Sequence, residues 1–329
     1  MSAFTVRWQR TSTLSAVVVC VAAALTGCGG SGGTAPTPGR NDQSDAGTSA
    51  PVTYRVGSSA GYATFQAISE NRRFLDHARN ELTRRCMAAA GFQYWPALDL
   101  PKEYSDPARP LTVEGAQTRG YHSLDVPPDR DREAAISAYF ATLSDAQQQE
   151  YQRSAEGPAN DVYKFHTFLG DGGYPRHGCA GNSVSQITDK PAEFVRLELI
   201  MTNLTDAPEY RPDADPGLKA PRARWRSCMT DAGYDFTSPR AAQVKGGQLD
   251  SAAARKAGLE LEPDAPSPAA LALAVADAKC RASSGWNDAY ARAVRNALAV
   301  VIDAHESDVL AWEDISAAAV TKAKAVLSK

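Results

Sequence analysis

A nine-residue pattern occurs twice in this chain and restricts its fold more than any other feature. Cys86-Met87-Ala88-Ala89-Ala90-Gly91-Phe92-Gln93-Tyr94 recurs as Cys228-Met229-Thr230-Asp231-Ala232-Gly233-Tyr234-Asp235-Phe236, a shared C-M-x-x-A-G-aromatic-x-aromatic. The pattern reads as the end of a helix. A cysteine sits on the buried face of the last turns, a glycine stops the helix in the left-handed region, and a ring beyond the cap folds back on the core. Each copy is then one helix terminus stapled to another part of the chain.

What the cysteines do depends on the compartment in which the chain folds. The first ten residues carry Arg7 and Arg10 and no acid, and the run from Leu14 to Leu25 has only Ser15 as a polar member. This is the layout of a secretory signal peptide, and at about twelve residues the run falls short of the roughly 20 needed to span a bilayer. Leu25-Thr26-Gly27-Cys28 follows directly and resembles the lipobox of bacterial prolipoproteins. In a lipobox, small residues let an extended backbone enter the peptidase cleft and the thiol accepts a diacylglyceryl group. The resemblance implies recognition through Leu25, Thr26 and Gly27, cleavage after residue 27, and a lipid on Cys28 that holds the chain on the extracytoplasmic face of the cell membrane. Two acyl chains anchor stably where one binds marginally. Residues 28–55 are expected to be the lipidated cysteine and its tether. Residues 29–51 are Gly, Ser, Thr, Ala and Pro with few apolar side chains, too few to offset the entropy of ordering them. As a coil they would span roughly 25 Å.

Of the six cysteines, Cys20 would leave with the leader and Cys28 would take the lipid, leaving Cys86, Cys179, Cys228 and Cys280. Four cysteines in an oxidising compartment allow three pairings. If each copy of the repeat opens a module and the following cysteine closes it, the pairs are Cys86 with Cys179 and Cys228 with Cys280. No CxxC spacing supports a zinc site, and neither metal nor cofactor is expected. Loss of Arg7 and Arg10 takes two positive charges from the formal −3 and leaves −5. A nucleic-acid partner, which would demand a clustered basic surface, is therefore excluded from the reading.

Apolar spacing predicts a helix over residues 68–90, with Phe74, Leu75, Ala78, Leu82 and Cys86 on one face and Gly91 to end it. Residues 131–143 and 145–155 read as a helix pair with Ser144 as the N-cap between them. Residues 191–204 and 218–232 read as two more, although the alternation of Val195-Arg196-Leu197-Glu198-Leu199 leaves strand open for the first, and Ser267-Pro268 reads as an N-cap and first-turn proline starting the helix that carries Cys280. Beyond Gly285 no glycine or proline interrupts the chain, so one long helix, or two broken near residues 306–308, should close the protein. Strand candidates are residues 52–56, and residues 92–95 with 234–237. The expected fold is mainly α, with little β-structure, two disulfide-closed helical modules packed together over residues 56–190 and 191–329, and a long C-terminal helix.

Chemical motifs are sparse. Gly57-Ser58-Ser59-Ala60-Gly61 matches G-x-S-x-G in letters, but a nucleophile elbow needs a parallel sheet behind it, so this stretch reads as loop. His166 and His177 flank Gly170-Asp171-Gly172-Gly173, and that segment reads as a loop delivering Cys179 to its disulfide. No catalytic residue can be named. A helix with Trp225 running into Cys228, Met229, Gly233 and Tyr234, followed by an Ala-rich helix with Ala276, Asp277 and Cys280, resembles the cell-surface lipoproteins of unknown function common in high-GC Gram-positive (actinomycete-type) bacteria. That resemblance implies location, helicity and disulfides, and no activity. The functional expectation is a membrane-anchored, non-enzymatic binding or scaffold role at the envelope, with a membrane or cell-wall protein as partner. The alternatives are an extracellular hydrolase with an acidic site and the solute-binding lipoprotein of an ABC importer, which would need two α/β lobes.

Overall fold

The computed structural model describes residues 59–96, 102–259 and 265–328. Among them lie eleven α-helices and two strands. In chain order these are α1 (Ser59–Ala89), α2 (Val113–Arg119), α3 (Arg130–Thr142), α4 (Asp145–Glu156), β1 (Val162–Thr167), β2 (Gly170–Pro175), α5 (Gly178–Ile187), α6 (Pro191–Thr202), α7 (Lys219–Asp231), α8 (Pro239–Lys256), α9 (Pro268–Ser284), α10 (Trp286–Ala304) and α11 (Glu306–Leu327). The fold is mainly α, and the chain closes with two helices that part at His305.

The repeat ends α1 and α7 in the same way. Gly91 and Gly233 have φ of 83° and 86°. Beyond them Phe92 N–H donates to the Met87 carbonyl at 2.9 Å and Tyr234 N–H to the Met229 carbonyl at 2.8 Å. These bonds satisfy carbonyls that a helix end leaves orphaned. The preceding cysteines join Cys179 at the start of α5 and Cys280 in α9, each with a Cα–Cα distance of 5.5 Å.

The buried side chains form two main clusters. The first takes Leu75, Ala78 and Leu82 of α1, Val184 and Ile187 of α5, Phe194 and Leu197 of α6, Val301 of α10 and Trp312 of α11. The Trp312 and Phe194 ring centroids lie 5.4 Å apart. The second takes Leu111, Ala116 of α2, Tyr121, Trp225 and Met229 of α7, Ala242 of α8, and Leu273, Ala274 and Cys280 of α9. Both clusters draw on residues before and after position 190: α6 and α11 pack with α1, while Leu111 to Tyr121 pack with α7 and α9.

Gly246 of α8 is where the second cluster is tightest. A methyl group there would lie 2.3 Å from a ring carbon of Tyr121, and that ring cannot swing aside because its hydroxyl donates to Asp277 at 3.0 Å. Gly246→Ala gains about 1 kcal/mol of helix propensity but overpacks the site at a cost of about 1–3 kcal/mol. A lower denaturation midpoint in urea is the expected result, and an unchanged or raised midpoint would show that the interface yields.

The strand expectations need correction. Residues 52–56 lie outside the described residues, and residues 92–95 and 234–237 form no strand. The rings that follow the caps pack instead on helices: Phe92 meets Tyr151 at 5.4 Å and Trp95 meets Tyr139 at 5.2 Å between centroids. The sheet is the antiparallel hairpin β1–β2, in the segment expected to be loop. Phe165 pairs across it with Gly172, and its ring occupies the space where a Cβ of Gly172 would stand, 2.6 Å away. Glycine there makes room for an aromatic cross-strand partner. Ser144 caps α4 as expected, in a full capping box with Gln147.

Candidate functional site

The helix predicted from residue 68 starts at Ser59, about two and a half turns earlier. Those added turns, with the turn that follows them, make one wall of a surface hollow. Tyr62, Phe65, Gln66, Ser69, Glu70 and Arg73 line it, at the spacing of a single helical stripe. The opposite wall is Glu103, Ser105 and Asp106, in and just after a short 3-10 turn (Lys102–Ser105).

Local chemistry fixes that second wall. An Asp106 carboxylate oxygen accepts the Ala108 N–H at 2.9 Å, a side-chain-to-backbone turn typical of aspartate. Arg109 lies over the Tyr104 ring at 3.9 Å and donates to the Leu124 carbonyl at 3.4 Å. The hollow offers about 130 Å³, comparable to the roughly 150 Å³ of a cavity that admits benzene. Its lining holds three carboxylates and one guanidinium. Burial raises the Tyr62 hydroxyl above its ordinary value, Asp106 adds to the rise, and Arg295 opposes it.

Two polar nodes lie deeper. Asp277 is fully buried and accepts from Trp225 Nε1 at 2.8 Å, from Tyr121 at 3.0 Å, and from Arg281 at 2.9 and 2.8 Å. Two residues on which the family resemblance rests thus meet directly, and every donor around this carboxylate is used to hold α7, α9 and Tyr121 together. Burial and Asp277 push the Tyr121 hydroxyl well above its ordinary value. In the first cluster Arg79 pairs with Glu198 and Asp76. Burial drives the Glu198 carboxyl upward while Arg79 draws it back, with a net rise. Tyr174 beside them is pushed up to about 12, chiefly by burial. The Asp277 node is closed by its own partners, whereas Arg79 Nε and Glu198 Oε1 are buried without a hydrogen-bond partner among the described residues; both nodes tie helices together.

Leu25, Thr26, Gly27 and Cys28 lie outside the described residues. Of the G-x-S-x-G letters, Ser59, Ala60 and Gly61 open α1, which corrects the loop expectation for that part. A methyl on Gly61 would stand 3.0 Å from Ala299, so this glycine serves the close approach of α1 to α10. His166 and His177 do not converge: His166 Nδ1 lies 2.8 Å from Asp171 and His177 Nε2 lies 3.2 Å from Asp161. Among the described residues no three His, Cys, Asp or Glu side chains are grouped to hold a metal ion.

The hollow escaped the sequence reading because Gly61 and the polar residues around it mask a helix start. The available signal was the recurrence of Tyr62, Phe65, Ser69 and Arg73 at helical spacing. Comparison of the chain with protein-family models, with curated proteins and with solved structures gave no match.

Proposed function

We propose that this chain is a lipid-anchored protein of the extracytoplasmic face of the cell membrane, with a non-enzymatic binding or scaffold role toward a membrane or cell-wall partner. The reading is carried by the order of the first 28 residues: Arg7 and Arg10, the apolar run, then Leu25-Thr26-Gly27 before Cys28. The two disulfides support it, because such bonds persist in oxidising compartments and are rare in the cytosol. No helix among the described residues is long and apolar enough to cross a membrane. In this reading the acyl chains supply the attachment. The solute-binding alternative needs two α/β lobes, whereas the sheet among the described residues is one two-stranded hairpin.

Expression of the full chain with radiolabelled palmitate tests the anchor. The wild type is expected to take up label and to partition into detergent, and Cys28→Ala to lose both. Label retained by the variant, or an unlabelled wild type with a free mature N-terminus elsewhere, would sink the reading.

A further inference from the structure

We propose that the hollow between α1 and residues 103–106 binds the head of a small organic cation, a primary alkylammonium or a group of like size and charge. This deepens the binding role proposed above by naming a ligand class, and it does not depend on how Cys28 is modified. Three observations meet there.

The first is size: about 130 Å³ takes a group of roughly benzene dimensions and not a polymer or a folded partner. The second is the distribution of charge. Asp106 and Tyr62 both line the hollow, and the carboxylate is near enough to the Tyr62 hydroxyl to raise it. Arg73 is eleven residues along the helix from Tyr62, about 16 Å up its axis, and closest in sequence to Glu70, three residues before it on the same stripe. The lining as a whole carries three carboxylates against one guanidinium, an excess of negative charge. Arg295 also faces Tyr62, but its influence on that hydroxyl is smaller than that of Asp106.

The third is the wall itself. Tyr62 and Phe65 are half-buried rings that line the hollow. A cation gains from a ring face as well as from a carboxylate, whereas an anion is repelled by the acids and a neutral apolar group leaves them unmatched. Gln66 and Ser69 add polar groups to the same wall. The second wall is preset, since Asp106 is already held by the Ala108 N–H, and little ordering is lost when a ligand enters.

The test is titration of the isotope-labelled full mature chain with n-butylammonium, followed by amide resonances, with butyrate as the anionic control. Saturable shifts confined to residues 62–73 and 103–109 are expected. A dissociation constant on the order of 1 mM is what a ligand of about five non-hydrogen atoms can reach. The variant pair Asp106→Asn with Glu103→Gln should weaken binding at least fivefold. Asparagine keeps the oxygen that accepts the Ala108 N–H, so the wall is preserved while its charge is removed. Absence of saturable shifts, equal shifts with butyrate, or undiminished binding in the variant would each overturn the proposal. An unlipidated chain that still binds butylammonium would remove the anchoring reading and leave the hollow's role intact. A lipidated chain with a silent hollow would do the reverse.

Discussion

Asp277→Ala is expected to destabilise the protein by about 3–5 kcal/mol, the usual consequence of removing one partner from a buried ionic node. The carboxylate is wholly buried, and its loss strands three donors at once. The Trp225 indole N–H, the Tyr121 hydroxyl and the Arg281 guanidinium all point at it within 3.0 Å. Arg281 retains only 11% exposure of its side chain, so water cannot readily replace the lost anion. A total stability of about 5–15 kcal/mol is ordinary for a folded domain, and the loss would consume a large part of it. Asp277→Asn keeps an acceptor oxygen for Trp225 and should fall between the variant and the wild type. Urea unfolding followed by tryptophan fluorescence measures both. Equal midpoints for wild type and Asp277→Ala would mean that the node contributes specificity and no stability.

How far the fold could be read in advance depended on whether the governing chemistry was local. The two helix ends were legible because a cysteine, a glycine and a ring within nine residues specify a cap and a staple together, and the structure repeats the same pair of backbone bonds in both copies. Ser144 and Ser267 were legible for the same reason, since an N-cap needs only its own turn. The hairpin was not, because Gly172 and Gly173 have no side chains with which to alternate. The side chain that shapes the strand, Phe165, comes from across the pairing. The first turns of α1 were hidden by Gly61, whose role is set by Ala299 far along the chain. With those turns went Tyr62 and Phe65, the two rings in the hollow's lining. The partnership of Trp225 with Asp277 was present in the sequence only as two residues of one resemblance, with no sign that they touch.

The disulfides give the second large effect. Cys86 and Cys179 are 93 residues apart, and Cys228 and Cys280 are 52 apart. In the chain-entropy model, loops of these lengths are worth about 4.6 and about 4.1 kcal/mol, figures that residual structure in the unfolded chain reduces. Replacing Cys86 and Cys179 together by serine should therefore cost about 3–4 kcal/mol, and replacing Cys228 and Cys280 nearly as much. Entropy alone makes the first pair the more costly by about 0.5 kcal/mol. Packing argues the other way: Cys280 is buried in the second cluster against Trp225 and Met229, so serine there also places a hydroxyl among apolar neighbours. Cys179 is buried as well but opens α5 beside the hairpin, where Pro175 and Arg176 backbone oxygens stand within 3 Å of a Cβ built at Gly181. The sign of the difference between the two double variants, read from their denaturant midpoints under oxidising conditions, decides between the terms. A larger loss at Cys86–Cys179 means that the bonds act mainly on the unfolded chain. A larger loss at Cys228–Cys280 means that the second one is part of a core that also contains Asp277. In that case combining its removal with Asp277→Ala should cost less than the two single losses together, because side chains that share partners do not contribute independently.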